Sequence, residues 1–449
     1  MRKKNFVFFS FFSITLLLCF SSYTYATQSR LSGMAELSIV IEDESNMINL
    51  WDFAGNPAGL LSDERGSVVR GDFLLSAEEP KRFSAIRYLY PYGLFQVQEA
   101  NISNNRVSGV IRKKDDFAFG FEAGYCERAI RGQTYEFEIE TSDFSLSLSK
   151  SLATKTSLGL SLEYSKYQHG YEKNSAADFS AKVGLATELP DLLQLGGALA
   201  YGKFNPSANF HDITDLRSLE FSLQSLLLMH NRVKMGIETV LAYRKAGRGW
   251  GLYDHYVRTE HNEYYSTFLK LRAIYEFSSS FSAGLYYNDN DHFVSFFHPF
   301  YDFFSFPEYD FMIRHLGLGG MYKLKQRAVV GIEYHFRDTA QERGMFDHHR
   351  LTKESINLGL EVLPREWIGF RGGYIRKEIR ENPVDEKSRK GWRNILTFGV
   401  GYKCSSLKFL LDLVYRYTWG TIEIWDYYPP FAPGESQRNI LAISVKKLW

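Results

Sequence analysis

The side chains best equipped for chemistry fall into two groupings. "DHH" at 347–349, together with His255, His261, His292 and His298 and the carboxylates Asp254 and Asp291, supplies the imidazole and carboxylate donors that divalent metals take. No two of these histidines stand at a helical i,i+4 spacing, so they read as solvated loop residues and no metal is assigned. The second grouping is a set of charges of both signs at alternate positions: Glu163, Lys182, Glu220, Lys234, Glu238, Lys270, Arg272, Glu333, Arg337, Arg371, Arg393, Asp412 and Arg416. Such a set pairs across strands in a wet interior, or narrows a passage where some of its members converge. No block of one sign appears in the sequence order, so no ion selectivity follows. The patterns GxSxG, HExxH, the P-loop and the Rossmann glycines are absent. No catalytic residue and no cofactor are assigned, and an enzyme is disfavoured.

A third grouping binds rather than reacts. "HFVSFFHPFYDFFSF", residues 292–306, holds Phe or Tyr at eight of fifteen positions. Rings at both odd and even positions do not suit a strand with one lipid face. The stretch is therefore expected as an outer loop whose Phe296, Phe297, Phe300, Phe303 and Phe304 form an apolar lid or ligand surface, with packing on neighbouring loops and an aromatic girdle as the alternative.

The elements that must carry these groups follow from the period of the chain. Arg2, Lys3 and Lys4 precede an apolar stretch that closes at small residues near Ala26, so 1–26 reads as a secretory signal peptide. Cys19 follows bulky Leu18, which argues against a lipoprotein. Removal of the leader leaves 50 basic against 52 acidic residues, a balance that gives nucleic acid no basic face to bind. Beyond it no apolar run approaches a membrane helix, yet the aromatic content is 16%, with 36 Phe and 29 Tyr. Two-residue alternation recurs throughout. In 157–166, Leu158, Leu160, Leu162 and Tyr164 oppose Ser157, Gly159, Ser161 and Glu163; the segments 219–227, 328–337, 392–403 and 407–416 repeat the pattern. Turn-like breaks near 115, 152, 189, 230, 278, 325, 364 and 404 imply units of two strands, one tight turn and one longer loop.

The expected fold is an all-β, transmembrane antiparallel β-barrel of about 18 strands (range 14–20), occupying 82–449, with an N-terminal plug segment over 27–81 in its lumen. A soluble propeller shares the spacing, but its blades bury both sheet faces, whereas these strands carry one apolar and one polar face. Cys126 and Cys404 fall roughly 25 Å apart along such a wall, beyond the ~7 Å limit for a bridge, and are expected as free thiols. Lys447, on the apolar face of the last strand, is expected to snorkel to water at the rim.

Within 27–81, Asn56 can cap a short helical turn and Pro57 suits its first position; an ordinary turn leading into a strand fits the same residues. The stretch Asn56, Pro57, Ala58, Gly59 and Leu60, followed by alternating strands and a C-terminal strand ending on Trp449, resembles the FadL-type family of outer-membrane transporters for hydrophobic compounds and its relatives in secretion systems. That resemblance implies that the stretch belongs to a hatch that blocks a straight path through the lumen. It also implies insertion by the barrel-assembly machinery into outer-membrane lipid of a Gram-negative envelope. The expected function is passive uptake of small hydrophobic or amphipathic compounds. The alternatives are a general porin and a non-transporting barrel that anchors or assembles a secretion or surface complex.

Overall fold

The computed structural model describes residues 34–39, 56–61, 67–82, 97–113, 116–132, 136–169, 174–189, 193–206, 216–229, 232–246, 263–291, 309–324, 327–343, 347–383, 389–404, 406–422 and 434–448. The strands are β1 (Val68–Arg82), β2 (Val97–Lys113), β3 (Phe117–Gly132), β4 (Glu136–Ala153), β5 (Thr156–His169) and β6 (Asn174–Leu189). They continue with β7 (Leu193–Pro206), β8 (Leu216–Met229), β9 (Val233–Ala246), β10 (Glu263–Glu276), β11 (Phe281–Asp291) and β12 (Tyr309–Leu324). The last six are β13 (Ala328–Arg343), β14 (Asp347–Arg365), β15 (Ile368–Pro383), β16 (Arg389–Cys404), β17 (Phe409–Ile422) and β18 (Gly434–Leu448).

Every strand pairs antiparallel with its sequence neighbours, and β1 pairs with both β2 and β18, so eighteen strands close into one barrel with no unpaired edge. Closure satisfies the backbone polar groups along the wall, which lets an antiparallel sheet face hydrocarbon. Among the described residues no helix is long and apolar enough to cross a membrane, which bears only on helices.

Alternation sorts the side chains as the period predicts. Leu158, Leu160 and Leu162 stand 42–43% exposed on the outer face of β5, and Leu223, Ile332, Phe370 and Phe398 do the same on β8, β13, β15 and β16. On the inner face the polar partners are covered: Glu333 and Arg272 are 0% exposed. The eight tight turns between paired strands fall after β2, β4, β6, β8, β10, β12, β14 and β16, at the positions expected from the sequence.

Two expectations differ from the structure, and three fall on residues beyond those described. The first wall strand begins at Val68, within the 27–81 stretch expected to precede the wall. β1 hides its period: Leu74 and Leu75 are adjacent apolar residues, Glu78 and Glu79 adjacent charges, and the register shifts between Pro80 and Arg82. Lys447 does not reach water; it is 5% exposed, opposite Val69 on β1 and Phe409 on β17. The leader 1–26, residues 292–306 with their five named phenylalanines, and Trp449 lie outside the described residues. Neither Cys126 nor Cys404 forms a disulfide, as expected.

Candidate functional site

Two short pieces of the N-terminal segment sit on the inner wall, one on each of two separate arcs. The wall makes room for them by placing glycine where the lumen-facing side chain would stand.

The first piece is Asn56–Leu61. Pro57–Leu61 is a 3-10 turn with Pro57, Ala58 and Gly59 buried. The Asn56 carboxamide oxygen accepts from Ala58 N at 3.0 Å, the cap that the sequence offers at that position. The other end of the same side chain donates to the wall, to Leu185 O at 3.1 Å and Gly197 O at 3.3 Å. Ala58 O accepts from Ser157 Oγ at 2.9 Å and Ser149 Oγ at 3.2 Å, and Leu60 O accepts from Arg112 Nε at 2.8 Å. Gly159 and Gly184 face each other across β5 and β6 directly beneath the turn. A Cβ on Gly159 would fall 2.2 Å from the Pro57–Ala58 peptide, and one on Gly184 would fall 1.9 Å from the Asn56 side chain.

The second piece, Met34–Ile39, lies on β10–β17. Glu333 accepts from Ser38 N at 2.9 Å and Ile39 N at 2.5 Å, while Arg272 donates to Ile39 O through Nη2 at 2.8 Å and Nε at 3.1 Å. A buried carboxylate and a buried guanidinium thus hold both ends of one residue's backbone, and those bonds offset the desolvation that two isolated charges would suffer. Glu333 also meets His335 Nε2 at 3.1 Å, and His335 Nδ1 in turn meets His315 Nε2 at 3.1 Å. Met34, Leu37 and Ile39 pack with Tyr286, Met321 and Val329 into an apolar patch inside the charged lumen. Gly331 and Gly359 face each other under Leu37, and Gly373 lies under Ala35.

Ala35 and Glu36 both have φ of 58°, the left-handed region that costs a residue with a Cβ on the order of 1 kcal/mol or more. The strain is held from two sides. Ala35 packs on Ile375 and Ile395, and the Glu36 carboxylate meets the Arg416 guanidinium with Lys377 Nζ at 3.8 Å. Arg416, and behind it Lys377, hold the Glu36 carboxyl down to about 2, against the rise that burial causes.

The remaining charges pair along the wall. Arg371 bridges the carboxylates of Glu361 (Nε–Oε1, 2.7 Å) and Asp412, all three nearly inaccessible. Across the β1–β18 closure Asp72 accepts from Ser444 Oγ; within β1 it pairs with Arg70, and between β2 and β3 Arg106 meets Glu122 at 3.2 Å. Glu238 joins Gln224 at 2.8 Å and Lys270 at 3.1 Å, and Glu163 joins Ser180 at 3.1 Å and Lys182 at 4.0 Å. Lys234, Glu220, Arg337 and Arg393 take lumen-facing register positions.

Sequence reasoning placed the Asn56 turn and most of the wall charges but missed 34–39, Glu361 and Lys377. The piece 34–39 has no cap or motif; only glycines recurring on the polar face, at Gly331, Gly359 and Gly373, mark that something approaches there.

No family model matches the chain, and no curated protein matches it. Solved structures with a related barrel shape include a Pseudomonas aeruginosa FadL homologue, 11% identical over 95% of this chain and 99% of that one, TM-score 0.42. Another is the Pseudomonas putida toluene transporter TodX, 11% identical over 96% and 100%, TM-score 0.38. A third is a mutant of the ferric enterobactin receptor PfeA of Pseudomonas aeruginosa, 9% identical over 85% and 81%, TM-score 0.45. The pairing of strands, rather than these likenesses, defines the molecule: a closed eighteen-stranded antiparallel barrel, apolar outside, with two pieces of its N-terminal segment seated on glycines in its lumen.

Proposed function

We propose that the protein is a passive outer-membrane channel for small hydrophobic or amphipathic compounds, with the N-terminal segment as its luminal obstruction. The observation that carries this reading is the apolar seat of the N-terminal segment: Met34, Leu37 and Ile39 are buried against Tyr286, Met321 and Val329 on the inner wall, so that lifting the segment would uncover an apolar surface beside the charged groups of the lumen. A compound with both characters finds a partner for each along such a wall, whereas a lumen built only to pass water and salts gains nothing from six apolar side chains. The outer belt of leucine, phenylalanine and valine supports residence in outer-membrane lipid, reached through the barrel-assembly machinery. Phe296, Phe297, Phe300, Phe303 and Phe304 serve in this reading as an apolar lid at the mouth. No step of bond making or breaking is assigned.

The test is mass spectrometry of small molecules extracted from protein purified from native membranes, paired with uptake by liposomes that contain it. A retained apolar compound, and uptake of that compound above empty liposomes, are expected. A stoichiometric co-purifying protein with no retained ligand and no uptake would overturn the reading in favour of an anchoring barrel.

A further inference from the structure

The outside of the wall carries charge at its rim as well as leucine and phenylalanine at its waist. Lys203 on β7 stands directly opposite Arg217 on β8, and Arg217 directly opposite Lys245 on β9. All three take outward register positions: Leu199 and Tyr201 on β7, Leu219 and Phe221 on β8 and Leu241 on β9 share their parity and are exposed on the outer face. Neighbouring strands are ~4.8 Å apart, so the row spans about 10 Å. The outward residues that flank it are Phe179 of β6, opposite Lys203, and Glu263 of β10, opposite Lys245. Among the described residues no outward position of β6–β9 carries a carboxylate.

The row has a fixed height on the barrel. It lies at the strand ends that lead into the longer connections 207–215 and 247–262, away from the tight turn at 230–232 between β8 and β9. Where short turns are periplasmic and long loops outermost, that end meets the outer leaflet. One step toward the membrane centre stand Tyr201, Leu219 and Tyr243, in register with one another, so the cations sit just above a row of the kind that marks the membrane interface. Elsewhere on the same rim the wall matches its own cations: Arg350 donates to Asp338 at 2.7 and 3.0 Å, and Arg376 to Glu378 at 3.2 Å. Arg217 also has a contact of its own within the chain, so what distinguishes the β7–β9 row is its net positive charge and its height, not an idle donor.

We propose that the row of Lys203, Arg217 and Lys245 is a binding site for the phosphate groups of a phosphorylated glycolipid in the outer leaflet. The inference rests on residence in the outer membrane and not on what passes through the lumen. A phosphate monoester carries about −1.5 to −2 at neutral pH, against a single charge on the diester of a phospholipid, so a short row of cations favours the monoester. Arg217 can meet two phosphate oxygens through its planar fork, and Lys203 and Lys245 add point charges on either side. Tyr201 and Tyr243 lie beneath them where acyl chains begin, which fits a lipid laid along the wall rather than a soluble anion.

The experiment is native mass spectrometry of the full chain in detergent, titrated with diphosphoryl lipid A, with monophosphoryl lipid A and with phosphatidylglycerol. Affinity is expected to fall in that order. Lys203→Gln/Arg217→Gln should weaken diphosphoryl lipid A about thirtyfold, at roughly fivefold for each cation lost near a charged lipid surface. The control Arg350→Gln/Arg376→Gln removes the same charge from the same rim and should change it less than about threefold, because those arginines face carboxylates of the wall. Folding of each variant is checked by the migration difference between boiled and unboiled samples. Affinity unaltered by Lys203→Gln/Arg217→Gln, or lowered equally by the control, overturns the site. Phosphatidylglycerol bound as tightly as lipid A overturns the glycolipid as its occupant. In all three cases residence in the outer membrane stands; a chain that stays soluble without detergent and binds none of the lipids overturns both.

Discussion

Replacing Gly159 with alanine should unseat the Asn56–Leu61 turn while leaving the wall intact. In a strand, alanine at this position satisfies the same ladder hydrogen bonds and costs the backbone nothing. Its Cβ, however, would stand 2.2 Å from both Pro57 C and Ala58 N and 2.6 Å from Pro57 O, all backbone atoms, so no rotamer change relieves the clash. The turn must lift, and the first bonds lost are those from Ser149 and Ser157 to Ala58 O. Two neutral hydrogen bonds are worth about 2 kcal/mol together, about a thirtyfold fall in the ratio of seated to lifted turn. A lifted five-residue turn has no helical stability of its own, so the amides of Ala58 and Gly59 exchange with solvent at the rate set by that ratio. Hydrogen exchange read by mass spectrometry on a peptide spanning 56–61 should accelerate about thirtyfold in Gly159→Ala. The control is Gly372→Ala, where an added Cβ meets nothing within 4 Å. Equal exchange in the two variants, both folded, would refute the idea that the glycines exist to admit the turn.

The seat of 34–39 should weaken in acid. Glu36 has its carboxyl lowered to about 2 in the folded protein from an ordinary 4.5, so its contribution is complete above 4.5 and is lost as the pH falls from there through about 2. Hydrogen exchange at residues 34–39, corrected for intrinsic rate, should rise across that window in the wild type and stay flat in Glu36→Gln. Arg371→Met strands the carboxylates of Glu361 and Asp412 in a buried site and should cost about 3–5 kcal/mol, read as a lower temperature for loss of the compact gel band; adding Glu361→Gln and Asp412→Asn should recover most of it. Deletion of residues 293–306 should leave a barrel that still shows the boiled-versus-unboiled difference, because the flanking wall strands β11 and β12 end at Asp291 and begin at Tyr309. Liposome uptake of apolar compounds should fall while that of small hydrophilic solutes holds or rises; no change in either would remove the lid.

What could be read from the sequence is what depends on neighbours along the chain. Strand period and turn spacing are local, so β4–β5 and β12–β13 were legible from alternation broken at 152 and 325, and so was the Asn56 cap, whose donor lies two residues away. β1 was not, because a strand with adjacent leucines and adjacent glutamates has no clean period. The clamp of Glu333 and Arg272 on Ile39 joins positions more than two hundred residues apart in sequence, and neither charge differs by type or spacing from those that merely pair along the wall. The facing of Arg337 with Lys353 and of Lys377 with Arg393 was invisible for a geometric reason: turns and loops separate them in sequence, and only the register brings them together.

The two seats lie on separate arcs, β2–β7 for one piece and β10–β17 for the other, and the chain between them is sixteen residues, 40–55. Extended, that length reaches roughly 55 Å. Eighteen strands spaced ~4.8 Å apart and tilted about 40° enclose a ring about 36 Å across. The connection therefore has slack, and neither piece pulls on the other when it moves. The barrel carries two latches in series that open one at a time, with a half-released state in which the acid-sensitive latch at Glu36 is undone while the serine-bound latch at Ala58 still holds.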